Sequence, residues 1–594
     1  MRSHHAKRDA FRYGLMIALF ALLGLTLLYP IVLVVFRGFI DEVDGGFTLR
    51  YFFGDGVGVL RDPLYRQGLW NALGVALCTT FLCLVISLPM AVLAARYRFP
   101  GKAAITSLVL VPLILPPFVG AIGLAALLGR FGASNTVLMR IGILDPEGPG
   151  IDFLGGGLGG RFWAVVVMEA LHLYPIIYLN LTAALANLDP SLDEAAENLG
   201  ASRVKRFFRV TLPLILPGIF AGSTIVLIWS FTELGTPLMF EYRTITPVQV
   251  FYGLQEIESN PRPYALVVVM LLAAIALYSV GKLALGGKAY AMQSKATAAV
   301  SERRLTGWRG IAALAFFVVV TGAAVLPHIG VIFSSLAVQG SWYRSILPAE
   351  LTGGHFSAAL THDLAMQSVL NSLGYATAAM LLCAVLGLAI AYLTVRCKLR
   401  GSGALDTLGM LPLAVPGLVM AFGYVAMSIQ FSGAFRDAGF DRIADLLSVR
   451  GQNPNPVLFL VLAYTVRRLP YILRAAAAGL QQTSGDLEEA AWNLGATPAT
   501  TVRRIVVPLI LANLIAGSIL VFSFAMLEVS DSLILAEKEP HYPITKAIWA
   551  LYSRLGDGPA IASAMGVWGM ALLTITMVGA SVLMGKKLGS IFRV

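Results

Sequence analysis

Charged side chains are scarce in this sequence: Asp, Glu, Lys and Arg make up 13% of its 594 residues, whereas soluble globular proteins carry about 25%. Only 4 cysteines occur, and none has a C-x2-C or Cys/His spacing suited to a metal ion. No G-x-x-x-x-G-K-[ST] phosphate loop occurs either, because the Gly-Lys pairs lack the upstream glycine and the following Ser or Thr. We therefore expect neither a water-soluble enzyme, nor a metal site, nor an ATPase in this chain.

Apolar residues dominate instead, at 57% of the sequence and a mean hydropathy of +0.77. The formal net charge is +11. A nucleic-acid-binding protein would need its basic residues clustered on a polar domain, and no stretch longer than a loop is polar. The composition therefore predicts an all-α polytopic membrane protein without a nucleic-acid partner.

Apolar runs of about 20 residues, the length that crosses a hydrocarbon layer of ~30 Å, predict twelve transmembrane helices. The segments that face the cytoplasm if the N-terminus does so carry more Lys and Arg than the outer segments. The positive-inside rule therefore predicts that both termini are cytoplasmic. The approximate spans are 14–36, 70–94, 104–128, 162–185, 209–232, 264–286, 308–337, 368–394, 404–428, 456–479, 504–527 and 562–585.

The second half of the sequence repeats the first. At an offset of 300, Asn71 matches Asn371 and Arg96 matches Arg396, and beyond the fourth span the offset becomes 295. We predict two homologous six-helix halves, residues 1–286 and 308–594, joined by a cytoplasmic linker at 287–307. Two halves that have the same orientation in the membrane and surround a central path are typical of a transporter.

A cytoplasmic motif, E-A-A-x-x-x-G, lies between the fourth and fifth spans of each half, in the loops 190–208 and 485–503. Ser191 as N-cap and acidic residues in the first turn favour a short helix. Such a helix is not stable alone in water, so we expect it to dock onto the membrane domain or onto a partner. One copy could simply be a soluble surface helix, whereas two matching copies favour docking. The motif residues are Glu194, Ala195, Ala196 and Gly200, and Glu489, Ala490, Ala491 and Gly495.

With this motif in both halves, the chain resembles the membrane subunits of binding-protein-dependent ATP-binding-cassette importers. The resemblance covers nearly the whole chain as two fused permease units, and it is greatest to ferric-iron and thiamine permeases. It implies that the motif residues form coupling helices seated in clefts of two cytoplasmic ATPase subunits. It also implies an extracytoplasmic solute-binding protein and a multi-pass location in a prokaryotic cytoplasmic (inner) membrane. ATP and Mg would then be bound by the partner, so this chain would need no cofactor and would not be an enzyme.

Ionisable residues inside predicted spans require a reason, because each costs at least ~2.5 kcal/mol at the centre of a helix. Arg467 and Arg468 lie near the middle of the tenth span, and His172 in the fourth span is the counterpart of Arg467. Glu169 lies one turn from His172. These side chains could line the path of an anionic solute, or Glu169 could form a structural pair with one arginine.

Two carboxylates also occupy matching positions, because Glu233 and Glu528 lie at the outer ends of the fifth and eleventh spans. They could receive a cation from a binding protein, or they could be ordinary interfacial residues. The candidate path residues are Glu169, His172, Arg467, Arg468, Glu233 and Glu528.

Ferric iron is the first substrate hypothesis, because the resemblance is greatest to iron permeases. Thiamine, polyamines, phosphonates and other small anions remain alternatives. A secondary carrier of the major-facilitator kind also has six plus six spans. It would require a G-x-x-x-D-R-x-G-R-like loop after the second span, where RYRFPGK and RCKLRGSG stand. A membrane-embedded enzyme would require a nucleophile or a set of metal ligands, which the candidate residues do not supply.

Overall fold

The computed structural model describes residues 2–41, 44–114, 116–155, 159–285 and 303–583. Most of the predicted linker at 287–307 and the C-terminal end of the chain therefore lie outside the described residues. The cytoplasmic position of both termini stays a prediction.

The first half is helical, with one two-residue strand, β1 (Tyr97–Arg98). Its predicted third span is interrupted near Pro112 and Pro116, because proline cannot donate a helical hydrogen bond. The helices are α1 (Arg2–Leu23), α2 (Tyr29–Gly38), α3 (Arg50–Phe53), α4 (Pro63–Arg96), α5 (Lys102–Leu108), α6 (Pro117–Leu128), α7 (Ala133–Arg140), α8 (Gly160–Ala186), α9 (Pro190–Asn198), α10 (Arg203–Arg206), α11 (Leu212–Thr232), α12 (Gly235–Met239), α13 (Thr246–Gly253) and α14 (Arg262–Leu285).

The second half begins with the strand β2 (Arg303–Arg304), which pairs in parallel with β1. No pattern in the sequence indicates this short ladder. The helices are α15 (Trp308–Leu336), α16 (Gly354–Thr361), α17 (Asp363–Ala391), α18 (Ser402–Met410), α19 (Gly417–Asp437), α20 (Asp441–Leu446), α21 (Val457–Gln482), α22 (Asp486–Asn493), α23 (Pro498–Thr501), α24 (Val507–Leu509), α25 (Leu511–Met526), α26 (Ser530–Leu535), α27 (Ile544–Tyr552) and α28 (Gly558–Leu583).

Among the described residues, 10 helical stretches are long and apolar enough to cross a membrane, or 11 if one bent pair is a single span. They confirm a polytopic α-helical membrane protein, while the number twelve stays a prediction. The bent pair, Pro498–Leu509 and Leu511–Met526, turns by 80° within the predicted eleventh span. The predicted tenth span corresponds to α21, which is 26 residues long and carries three arginines that lower its hydropathy.

The chain folds into two compact units that do not coincide with the two halves of the sequence. The amino unit comprises Pro63–Gln249 and Leu272–Gly353, and the carboxyl unit comprises Met1–Asp62, Val250–Leu271 and Gly354–Lys587. The amino unit therefore contains α15, the first long helix of the second half. The carboxyl unit contains α1 and α2, which begin the first half. Helices α4, α8 and α11 form the core of the amino unit, and α17, α21 and α25 form the core of the carboxyl unit.

Glycine residues allow the exchanged helices to pack closely against the helices of their unit. In the amino unit, α15 packs on α6, and a Cβ atom at Gly123 or Gly330 would clash with the backbone of the other helix. In the carboxyl unit, α2 packs on α19, and a Cβ atom at Gly423 would lie 2.8 Å from the carbonyl oxygen of Pro30. Small residues allow such close approach of helices in a membrane. The same packing thus occurs once in each unit.

Candidate functional site

The first E-A-A motif lies on α9, whose N-cap is Asp189 and not Ser191 as the sequence suggested. The Asp189 carboxylate accepts a hydrogen bond from the backbone N–H of Ser191 at 2.9 Å, and this bond lowers the pKa of Asp189. The helix ends before Gly200, whose φ of +80° is the left-handed conformation that glycine adopts at helix C-termini. Leu199 beside it is 88% exposed.

The second motif lies on α22, whose N-cap Gly485 has no side chain to cap the helix, and it repeats the glycine end and the exposed leucine. Gly495 has a φ of +84°, and Leu494 before it is 89% exposed. Two motif residues, Ala196 and Ala491, are half-buried, and the other six are exposed: Glu194, Ala195, Gly200, Glu489, Ala490 and Gly495. In the described part of the chain, no ion pair engages either motif glutamate. Each motif therefore presents a short helix with an open carboxylate, an alanine and a leucine to the surroundings.

The acid before each motif glutamate points the other way, toward an arginine at the end of the second span of its half. Arg96 Nη1 lies 3.8 Å from Asp193 Oδ2, and Arg396 Nε lies 2.8 Å from Glu488 Oε1. Arg396 also donates to the carbonyl of Thr483 at 2.8 Å. Burial raises the pKa of Glu488, and the charge of Arg396 opposes that rise. The two arginines match across the repeat at the offset of 300 and the two acids at the offset of 295, and these matches were the signal for the pair.

A one-turn π-helix follows each E-A-A segment at the start of the fifth span. It covers Phe207–Thr211 in the first half and Val502–Val506 in the second, which are the same positions at the offset of 295. Single π-turns in α-helices are rare and are frequently found at functional sites. The E-A-A helix thus connects to its span through an irregular turn in both copies.

The mid-span arginines are paired within the carboxyl unit. Arg467 Nη1 lies 2.9 Å from Glu528 Oε1 and 3.5 Å from Asp531 Oδ2, and Arg468 forms an ion pair with the other oxygen of Glu528. Glu528 and Asp531 are 3% and 1% exposed. The guanidinium of Arg467 occupies the space where a Cβ atom of Gly417 would lie. Two cations and two carboxylates therefore balance one another inside the membrane domain.

The corresponding positions in the amino unit carry no arginine. Glu169 is 1% exposed, and one of its oxygens accepts a hydrogen bond from the hydroxyl of Ser230. Nδ1 of His172 donates to the carbonyl of Pro112 at 2.8 Å. Glu233 accepts hydrogen bonds from two backbone N–H groups at the start of α12, at 3.1 and 3.3 Å. The structural pairing considered for Glu169 thus involves a serine, and the arginines pair with Glu528 and Asp531.

Within the described residues, no group of three or more His, Cys, Asp and Glu side chains is arranged to hold a metal ion. The polar side chains of the spans are therefore placed as pairs and caps, whereas the two E-A-A helices are exposed. The two E-A-A helices and the paired polar positions form the candidate functional site, one copy in each half.

Comparison with known proteins agrees with this duplication. The profile of the family "Binding-protein-dependent transport system inner membrane component" matches residues 87–326 and 383–583. The ferric transport system permease protein of Actinobacillus pleuropneumoniae is 28% identical over 538 residues, which cover 88% of this chain and 71% of the relative.

Two further relatives come from Haemophilus influenzae. A putative ferric transport system permease protein is 27% identical over 89% of this chain and 78% of its own length. A spermidine/putrescine transport system permease protein is 36% identical over 169 residues, or 28% of this chain and 56% of the relative. With one profile matching most of the chain in two copies, the protein belongs to the binding-protein-dependent transport system inner membrane components, as a multi-pass protein of two fused permease units in the cytoplasmic membrane.

Proposed function

We propose that this chain is the transmembrane subunit of an ATP-driven importer that moves a small cation, ferric iron first, into the cytoplasm by alternating access. The observation that carries the proposal is the duplicated coupling segment. Helices α9 and α22 share their glycine ends, exposed glutamates and exposed leucines, although only part of their sequence is identical. One ATPase subunit would dock on each, and both would bind ATP and Mg.

The contacts of each segment supply a route for movement. When the two ATPase subunits close, they would carry α9 and α22 with them. The Arg96–Asp193 and Arg396–Glu488 pairs join these helices to the second spans, α4 and α17. The π-turns join them to the fifth spans. Both spans belong to the core of their unit, so the pull would reach the translocation path without any reaction on this chain.

A cationic substrate is supported by the polar groups of the spans. Arg467 and Arg468 are bound to carboxylates and so offer little attraction to an anion. Glu169, in contrast, has a buried oxygen that makes no hydrogen bond in the described structure. The names of the relatives refer to ferric ions and to polyamines, and both are cations. A polyamine is the second candidate substrate, because one polyamine permease is 36% identical to part of this chain.

The first experiment tests docking. The tagged chain is purified in mild detergent and its partners are identified by mass spectrometry. The double variant Glu194→Arg with Glu489→Arg should lose a nucleotide-binding subunit that the wild type retains. The control is the double variant Glu258→Arg with Asp437→Arg, at exposed residues in loops predicted to lie outside. This variant should retain the nucleotide-binding subunit. If the well-folded wild type brings down no ATPase, the importer proposal is wrong and a secondary carrier must be considered.

The second experiment tests the substrate. Cells that contain the complete transport system are supplied with radioactive ferric iron or spermidine. We expect uptake of ferric iron in the wild type, a loss of at least about tenfold in Glu169→Gln if the carboxylate contacts the ion, and retained uptake in Glu169→Asp. Uptake of spermidine without uptake of ferric iron would show that the substrate is a polyamine and not iron.

A further inference from the structure

The segment that leads into the first span of the second half is fixed to the coupling segment of the first half. Strand β2 pairs with β1 directly after α4, and the N–H of Leu305 donates to the carbonyl of Arg98 at 2.8 Å. From this strand, Arg303 Nη2 donates to Glu197 Oε2 on α9 at 3.2 Å. Arg206 forms an ion pair with the same carboxylate. All of these residues lie in the amino unit.

The carboxyl unit contains the reciprocal contact. Arg12 lies at the start of the first membrane span, and its guanidinium carbon is 5.5 Å from the ring centroid of Trp492 on α22. Trp492 is the counterpart of Glu197 at the offset of 295. Arginine is attracted to the face of tryptophan, so this is a cation–π contact. The charge of Arg12 also acts on Glu488 of the same helix.

We propose that Arg303 and Arg12 are positioning residues through which each half of the chain holds the coupling helix of the other half. This inference rests on the proposed function, since it assigns a role to the docking helices. Its support is that one position of the motif, occupied by Glu197 in one copy and Trp492 in the other, meets an arginine in both. The chemistry differs, as an ion pair or a cation–π contact, while the placement is the same.

The consequence is that neither coupling helix moves with its own half alone. Arg12 lies in the helix that enters the membrane as the first span, and Arg303 precedes the first span of the second half by a few residues. A shift of α9 would therefore pull on the segment before α15, and a shift of α22 would pull on α1. Both side chains of the Arg303–Glu197 pair are about half exposed, so this contact can break and reform during a cycle.

Hydrogen exchange of the purified full chain tests the crossed contacts without a partner or a substrate. We expect Arg303→Gln to speed amide exchange in α9 about two- to fivefold, the range of an exposed ion pair, and to leave α22 unchanged. Arg12→Gln should speed amide exchange in α22 and leave α9 unchanged. Arg304→Gln, in the same strand, is the matched control and should change neither helix. If Arg303→Gln and Arg304→Gln behave alike, the proposal is overturned.

The ATPase activity of the assembled complex supplies a functional readout. The ratio of the rate with loaded binding protein to the basal rate should fall at least about twofold in Arg303→Gln, while the ATPase subunit stays bound, and should recover in Arg303→Lys. An unchanged ratio would show that the contact has no part in coupling. If the wild type retains no ATPase subunit, the proposed function fails, and the exchange experiment still decides whether the crossed contacts exist.

Discussion

Glu528 and Glu233 occupy matching positions in the two halves, but their removal should have very different costs. Glu528 is buried and pairs with both Arg467 and Arg468. Glu528→Gln would leave two partly buried guanidinium groups with Asp531 alone, and removing one partner of a buried pair costs about 3–5 kcal/mol. Glu233→Gln keeps a side-chain oxygen that can accept from the start of α12 and removes the negative charge at that helix end, which costs about 0.5–2 kcal/mol.

Thermal unfolding of the detergent-purified protein measures this difference. At about 2 °C for each kcal/mol, the value for large domains, the unfolding midpoint should fall by about 6–10 °C in Glu528→Gln and by about 1–4 °C in Glu233→Gln. Adding Arg468→Met to Glu528→Gln should recover part of the loss, because it removes one uncompensated cation. Equal shifts for the two single variants, or a further loss in the double variant, would contradict the assignment of a charge-balanced cluster.

Three further outcomes are expected. Gly123→Ala should lower the unfolding midpoint by several degrees because the added Cβ meets backbone, whereas Gly322→Ala, which has open space, should not. Replacing Leu199 and Leu494 by Ala should leave the midpoint unchanged and weaken retention of the ATPase subunit in pull-downs. Arg206 lowers the pKa of Glu197, so the midpoint difference between wild type and Glu197→Gln should be constant above pH ~4.5 and shrink as the pH falls further.

The membrane spans could be predicted from the sequence because a bilayer demands a minimum apolar length. The same reasoning could not find the partners of the mid-span arginines. Hydropathy assigns a cost to Arg467 and Arg468, but the carboxylates that balance them lie on a later element of the same unit, beyond the end of α25. The nearby acid of the matching span, Glu169, was the obvious candidate in sequence, and it accepts from Ser230 instead.

The two E-A-A helices could be predicted from repetition, because the same motif at matching positions indicates them without any tertiary information. Their attachment was harder to predict. Arg303 and Glu197 are far apart in sequence, and Trp492 meets Arg12 through the face of a ring, so complementary charge gave no signal for that contact. The exchange of first helices was equally hidden, because a repeat alignment pairs equivalent residues and does not show which residues pack together.

The exchange of first helices also affects how the protein can be made. When the ribosome has completed α14, most of the amino unit exists, but the helix that packs on α6 has not yet been synthesised. Helices α1 and α2 leave the ribosome first, and α2 has no α19 to pack on until much of the second half has been inserted. Both units therefore become complete only late in translation. A chain truncated after α14 would lack the helix that packs on α6, so its amino unit would stay incomplete.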